Sequence, residues 1–235
     1  MTEVAAKVVA AAEAIALGGD VSNAGEETIV ADAPYRVEVE ITGDSAILFH
    51  RWQSDSVEAK AKAAKGSTAK KTDDVASYVW RNDDEIICLP GEYLRGSLID
   101  PRNGASKYVQ DPRSPRKSAL DLFRAGVVAL TDLAPIVKAD GTVADAWDYL
   151  DRRRVTVQRA GVTRERPAFN AGWKAEVTFM ILTPQYIDPS LFRRVLGQAG
   201  LLVGVGDFRP TFGRFSITRF EMLTDDDDRA PLSRT

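Results

Sequence analysis

The chain has 235 residues, with 31 Lys+Arg against 34 Asp+Glu, a single His, 44% hydrophobic and 28% charged residues. That balance belongs to a soluble globular protein long enough for a sizeable core, and it excludes a collagen, a mainly disordered chain and a disulfide scaffold. The formal net charge of −3 argues against a nucleic-acid partner only until it is divided: residues 1–33 carry six acids and one lysine (−5), residues 225–235 carry −2, and 34–224 carry +4. A mildly basic body between two acidic ends leans toward an anionic partner.

Residues 3–16 (EVAAKVVAAAEAIA) have high helix propensity. Gly18 and Gly19 end that stretch, and 18–33 reads as a Gly-, Asp- and Glu-rich linker. The first 17 residues have neither a basic start nor a strong apolar block, so a signal peptide is not expected. No apolar run is long enough to span a membrane. The expected location is the cytoplasm of a bacterial host cell.

Order is expected from Pro34. YRVEVEITG places Tyr35, Val37, Val39 and Ile41 on one face and Arg36, Glu38 and Glu40 on the other, the period of a half-buried strand. AILFHRW continues as a second short extended segment. Residues 54–76, rich in Lys, Ala and Ser, read as a mobile basic loop. A short helix is expected at 73–80, a strand at EIICLP, and a helix at GEYLRGSLID with Tyr93, Leu94 and Leu98 inward. Cys88 lies inside the apolar EIICLP run and reads as a buried structural thiol. Residues 100–118 combine three prolines with a run of basic residues and read as a second flexible basic loop. A broken apolar stretch follows at 119–138, then a short helix at 143–151 with Trp147 and Leu150 inward.

The last third has the clearest pattern. VTVQRAGVTRERP reads as one strand, and GWKAEVTFMIL, with Trp173, Ala175, Val177, Phe179 and Ile181 alternating, as its antiparallel neighbour. Asp188 caps a helix with Pro189 in its first turn, Leu191, Val195, Leu196 and Ala199 on its apolar face, and Gly200 as its stop. A Gly-rich segment leads to a final strand, SITRFEML. Strand, strand, helix, Gly-rich segment, strand is half of a ferredoxin-like unit, and the strand at 34–43 with a later helix supplies the rest. The predicted class is therefore α+β: a ferredoxin-like, RNA-recognition-motif-like antiparallel sheet with helices on one face and long insertions near 54–76 and 100–118. It occupies 34–224, between an acidic N-terminal helix and linker (1–33) and an acidic tail (225–235).

Two clusters carry chemistry. RRRVTVQRAGVTRER holds Arg152, Arg153, Arg154, Arg159, Arg164 and Arg166 against Glu165. On one continuous strand Arg152, Arg154, Arg164 and Arg166 share a parity, so they are expected on one face, gripping phosphates with planar forks. The second cluster is GVGDFRPTFGRF. Its Gly206 and Gly213 let backbone approach an anion, while Phe208, Phe212 and Phe215 interleave with Arg209 and Arg214 as in stacking platforms for single strands. His50, Arg51 and Trp52 are consistent with stacking and phosphate contact, and Arg95 and Lys107 add basic candidates. Acids are not spaced for two-metal chemistry, and no Cys/His cluster exists, so neither a metal nor a cofactor is expected.

The late loop GVGDFRPTFGRF running into a terminal strand resembles the glycine-rich loop of the RAMP superfamily, the RNA-recognition-motif-like proteins of CRISPR effector complexes, with the backbone-forming branch nearest. The match covers roughly 152–220, with Gly206, Gly213, Arg214 and Phe215 fitting the loop best. It also looks like phage-encoded proteins with the same loop, so a phage or mobile-element origin is expected. The resemblance implies single-stranded RNA or DNA binding by repeated subunits, as a homo-oligomer or filament along the strand. Two alternatives stand beside it: a metal-independent ribonuclease with His50 as general base, and a phage structural or inhibitory protein acting through protein–protein contacts.

Overall fold

The computed structural model describes residues 33–51, 74–157 and 160–223, with 155–157 and 160–162 described by their backbone only. The expected helix at 3–16, nearly all of the linker to 33, Trp52, most of the loop at 54–76, Arg159 and the tail at 225–235 lie outside them.

The alternation in YRVEVEITG produces strand β1 (Tyr35–Gly43), with Tyr35, Val37, Val39 and Ile41 buried. After it come β2 (Ile47–Leu48), β3 (Trp80–Arg81), β4 (Ile87–Pro90), helix α1 (Gly91–Ile99), β5 (Gln110–Asp111), β6 (Ser114–Ser118), α2 (Leu120–Gly126), β7 (Val127–Ala129) and β8 (Leu133–Pro135). The chain continues as β9 (Tyr149–Val157), β10 (Ala160–Phe169), β11 (Lys174–Ile181), α3 (Pro189–Leu202) and β12 (Phe215–Leu223).

The central sheet has the order β12-β1-β11-β7 with every pair antiparallel. Counted along the chain that is fourth, first, third, second, the ferredoxin-like arrangement. Its inner face meets the helices: Leu191, Phe192, Val195, Leu196 and Ala199 of α3 are buried, and Phe192 meets Phe179 edge-on at 5.3 Å. Asp188 caps α3 by accepting a hydrogen bond from the Leu191 N–H at 2.8 Å. Among the described residues no helix is long and apolar enough to cross a membrane.

Several expectations are corrected. α3 runs past Gly200 to Leu202, and the reversal comes at Gly204, whose φ of +75° and N–H bond to the Ala199 carbonyl form the helix end. Gly200 serves close packing instead, since a Cβ there would sit 2.0 Å from the Phe215 carbonyl oxygen. Residues 143–151 form no helix: Val143 bridges Val137, and Tyr149 and Leu150 begin β9 with Leu150 exposed. Residues 100–118 carry a 3-10 turn (Ala105–Tyr108) and the β5–β6 hairpin. The turn is anchored by the Ser106 hydroxyl on the Leu98 carbonyl, and the hairpin by Asp111, which accepts from both the backbone and the guanidinium of Arg113. Finally, β11 pairs with β1 and β7, not with the arginine strand. That segment, 155–167, is itself split between β9 and β10, which form a second sheet in the order β2-β10-β9.

Candidate nucleic-acid interface

The hairpin rewrites the arginine geometry. Val157 stands opposite Ala160, so the register pairs Asp151 with Arg166, Arg152 with Glu165, Arg153 with Arg164 and Arg154 with Thr163. Directly paired residues share a face. Arg164 and Arg166 therefore share theirs with Arg153 and Asp151, while Arg152 and Arg154 point to the opposite face. A single strand would have kept one parity throughout; reversing the chain between Val157 and Ala160 exchanges it. On the outer face Arg152 pairs with Glu165, and Arg154 is exposed.

The glycine-rich loop brings its own residues to the inner face. Val205 donates to Gly213, Asp207 to Leu48 and Gly213 to Ala46, which seats the loop against β2. Gly206 and Gly213 have φ of +80° and +74°, and a Cβ on them would lie 2.6 Å from the Leu48 oxygen and 1.7 Å from the Val205 oxygen. Both glycines thus build the loop, and the Val205, Asp207 and Gly213 N–H groups are engaged within the protein rather than turned to an anion.

Seated this way, the Asp207 carboxylate accepts from Arg166 Nε. Arg166 is 5% exposed, and its Nη1 has no hydrogen-bond partner among the described residues. Phe208 follows with φ of +60°, a conformation a bulky side chain rarely takes, and the residue stays 40% exposed. It meets Phe212 edge-on at 6.2 Å. The Arg153 guanidinium lies 4.4 Å from the Phe212 centroid and 5.7 Å from that of Phe208, and Arg166 lies 5.6 Å from Phe208, all within cation–π range. Asp151 holds Arg153 by two contacts to Nε at 2.8 and 2.7 Å.

His50 joins this face through Arg164, whose Nη1 lies 2.8 Å from His50 Nε2. A guanidinium only donates, so Nε2 accepts and the imidazole proton sits on Nδ1. Its neighbour Arg51 turns away and lies over the Trp80 ring at 3.9 Å, and Trp80 Nε1 donates to the Tyr93 hydroxyl. Below the loop, Arg209 faces α1 across a cleft, 3.8 Å from Asp100.

Other expected contacts are committed elsewhere. Arg95 donates to the Val127 and Arg124 carbonyls and ties α1 to the end of α2. Lys107 reaches the Pro101 and Arg102 carbonyls, and Arg214 Nε donates to Pro210 within the loop. The site's further members are Arg153, Asp151, Phe212 and Asp207. Parity on a single strand separates Arg153 from Arg164, and only the hairpin brings the two to one face. Phe212 was legible as an interleaved aromatic four residues from Phe208.

The outer side of the central sheet carries four glutamates, Glu38, Glu40, Glu176 and Glu221, against Arg36, Lys174 and Arg219. Glu38, Glu176 and Glu221 surround Arg219, with Glu40 beside them bound to Lys174. Burial and the neighbouring Glu38 hold the Glu176 carboxyl above the usual carboxylate range.

No family model matches the chain, and no curated protein matches it. Among solved structures, a chain of the type III-B Cmr-beta complex bound to cognate target RNA is similar over 93% of this chain and 67% of its own, at 11% identity and a TM-score of 0.44. A chain of the Csm3-Csm4 subcomplex in the type III-A CRISPR-Cas interference complex is similar over 85% and 84%, at 13% identity and a TM-score of 0.31.

Proposed function

We propose that this protein binds single-stranded nucleic acid across the face shared by the β9–β10 hairpin and the glycine-rich loop. The observation that carries the reading is Phe208: an exposed ring in a left-handed backbone conformation, with the guanidinium groups of Arg153 and Arg166 beside it. Base stacking on such a ring tolerates any sequence, and the partly exposed Arg153 guanidinium beside it is placed to take a phosphate, while the buried Arg166 supports the ring from below. Carboxylates at Asp151 and Asp207 orient two of the arginines and neutralise part of their charge, so aromatic contact carries more of the affinity than a bare basic patch would need. The outer face of the central sheet, with four glutamates against Arg36, Lys174 and Arg219, offers a phosphate backbone no cationic excess. Binding by repeated subunits along one strand belongs to the same reading.

The ribonuclease alternative needs the His50 lone pair at Nε2, and Arg164 engages it; the binding reading needs no such group. Fluorescence anisotropy with labelled RNA and DNA single strands of about 15 nucleotides tests the proposal. Affinity is expected to fall steeply as salt rises from about 50 to 200 mM, and Phe208→Ala to weaken both strands. No binding at the lowest salt, or full affinity in Phe208→Ala, overturns it.

A further inference from the structure

Beside the proposed strand path lies a cleft of about 230 Å³ between α1 and the glycine-rich loop. It is smaller than the ~300 Å³ at which pockets for whole drug-sized ligands begin. One wall runs along α1: Glu92 and Gly96 on one stripe, with Asp100 at the residue that ends the helix. The other wall is Gly206, Asp207 and Arg209, with the Tyr93 and His50 rings also lining the space.

Gly96 is the unusual member. A glycine inside a helix costs roughly 0.5–1 kcal/mol relative to alanine. Its φ is not left-handed, and a Cβ placed on it would meet nothing within 4 Å. Neither backbone geometry nor packing calls for a glycine there. What its missing side chain leaves is open space in the cleft.

The polar groups form a mixed set. Asp100 gives one oxygen to the Arg102 N–H at 2.8 Å, Asp207 gives one to Arg166, and Glu92 Oε2 lies 3.4 Å from Arg95. Each carboxylate has a second oxygen, that of Asp100 being the one that meets the Arg209 fork, loosely, at 3.8 Å. A carboxylate pairs best with two adjacent N–H donors, and an arginine fork with two adjacent acceptors. Guanine offers both: N1–H beside the N2 amino group on one edge, and O6 beside N7 on the next. Adenine and cytosine offer one amino group each, and uracil a single N–H. A cationic amine would meet the carboxylates but also Arg209.

We infer that this cleft takes one unstacked guanine from the bound strand, its N1–H and N2 amino edge on the α1 and loop carboxylates and its O6/N7 edge on Arg209. This rests on the strand-binding reading and adds a base preference to it. Extruding one base while its neighbours stack on Phe208 is how proteins read a base's hydrogen-bonding edge.

The test compares an all-uridine RNA with the same strand carrying one central guanosine, inosine or adenosine, by anisotropy, for the full chain and for Gly96→Leu. The guanosine strand is expected to bind about tenfold more tightly than all-uridine, and inosine, which lacks the N2 amino group, to lose most of that gain. Gly96→Leu, with a circular dichroism melt to show that it folds, is expected to keep all-uridine affinity and lose the guanosine preference. Equal affinity for all strands, or a preference untouched by Gly96→Leu, overturns the inference and leaves strand binding standing. If no strand binds, the strand-binding reading fails, and the cleft is judged on the Gly96 amide resonance. A shift with guanosine but not adenosine supports the pocket, and no shift overturns it as well.

Discussion

Arg153 and Arg164 stand directly opposite each other across the β9–β10 hairpin. Like charges in that position cost stability in a sheet. Each is held by its own partner, Arg153 by Asp151 and Arg164 by His50. An opposed cationic pair on an exposed hairpin is an arrangement that an anion would relieve.

The two faces of this hairpin therefore predict different outcomes for adjacent residues. Arg153→Ala removes a guanidinium from the Phe208–Phe212 face and is expected to weaken strand binding by about tenfold, the value of a hydrogen bond to a charged group. Arg154→Ala, on the opposite face, is expected to change affinity by no more than about twofold, as for an ordinary surface position. Anisotropy titrations of the two variants at one low salt concentration decide it. Equal losses would mean that the strand does not distinguish the faces.

Glu176 predicts a pH dependence of stability. Burial and Glu38 raise its folded value above the ordinary one, so the folded state holds the proton to higher pH than the unfolded state does. The stability linked to this group is fully present below the unfolded value and is lost as pH rises through the raised folded value. Glu176→Gln, which mimics the protonated form, is expected to raise the melting temperature at pH about 8 and to leave it unchanged at pH about 2.5, well below the unfolded value, where the glutamate is protonated in both states. Thermal melts at the two values would refute this if the gain were equal or reversed.

Helix α3 predicts two changes of opposite sign. Asp188→Ala removes the cap on the Leu191 N–H and is expected to cost about 1 kcal/mol. Gly197→Ala, where a Cβ meets nothing within 4 Å, is expected to add roughly 0.5–1 kcal/mol. Urea unfolding with unchanged m-values measures both, and a destabilising Gly197→Ala would mean that the helix needs the glycine for contact rather than tolerating it.

The acidic ends predict an electrostatic effect on binding. Residues 1–33 carry −5 and 225–235 carry −2, against +4 for the body. Deleting either end is expected to strengthen single-strand binding at low salt, with the difference shrinking toward physiological ionic strength as charges are screened. Unchanged or weaker affinity in both truncations would show that the ends do not oppose the strand.

Much of the fold was legible in local pattern. The alternations at 35–43 and 174–181 and the spacing of Leu191, Val195, Leu196 and Ala199 each report one buried face, and each became the element expected. The Phe–Arg interleaving of 204–215 singles out the loop that packs against β2 and meets Arg153 and Arg166. The hairpin was not legible: Gln158 and Arg159 carry none of the Asn-Gly or Gly-Gly chemistry that announces a tight reversal, and arginines alternate on both sides of it. Read as one strand, the segment puts Arg152 and Arg154 on the face of Arg164 and Arg166; the reversal puts Arg153 there instead.

The sequence by itself determined which segments alternate with a period of two or of 3.6, because that is a contest between neighbours in the chain. Tertiary structure alone decided that β11 joins β1 rather than β10, that Arg166 meets Asp207 across 41 residues, and that Gly96 faces the loop of Gly206. Those pairings depend on which distant surfaces bury the most apolar area together, and no local period encodes that choice.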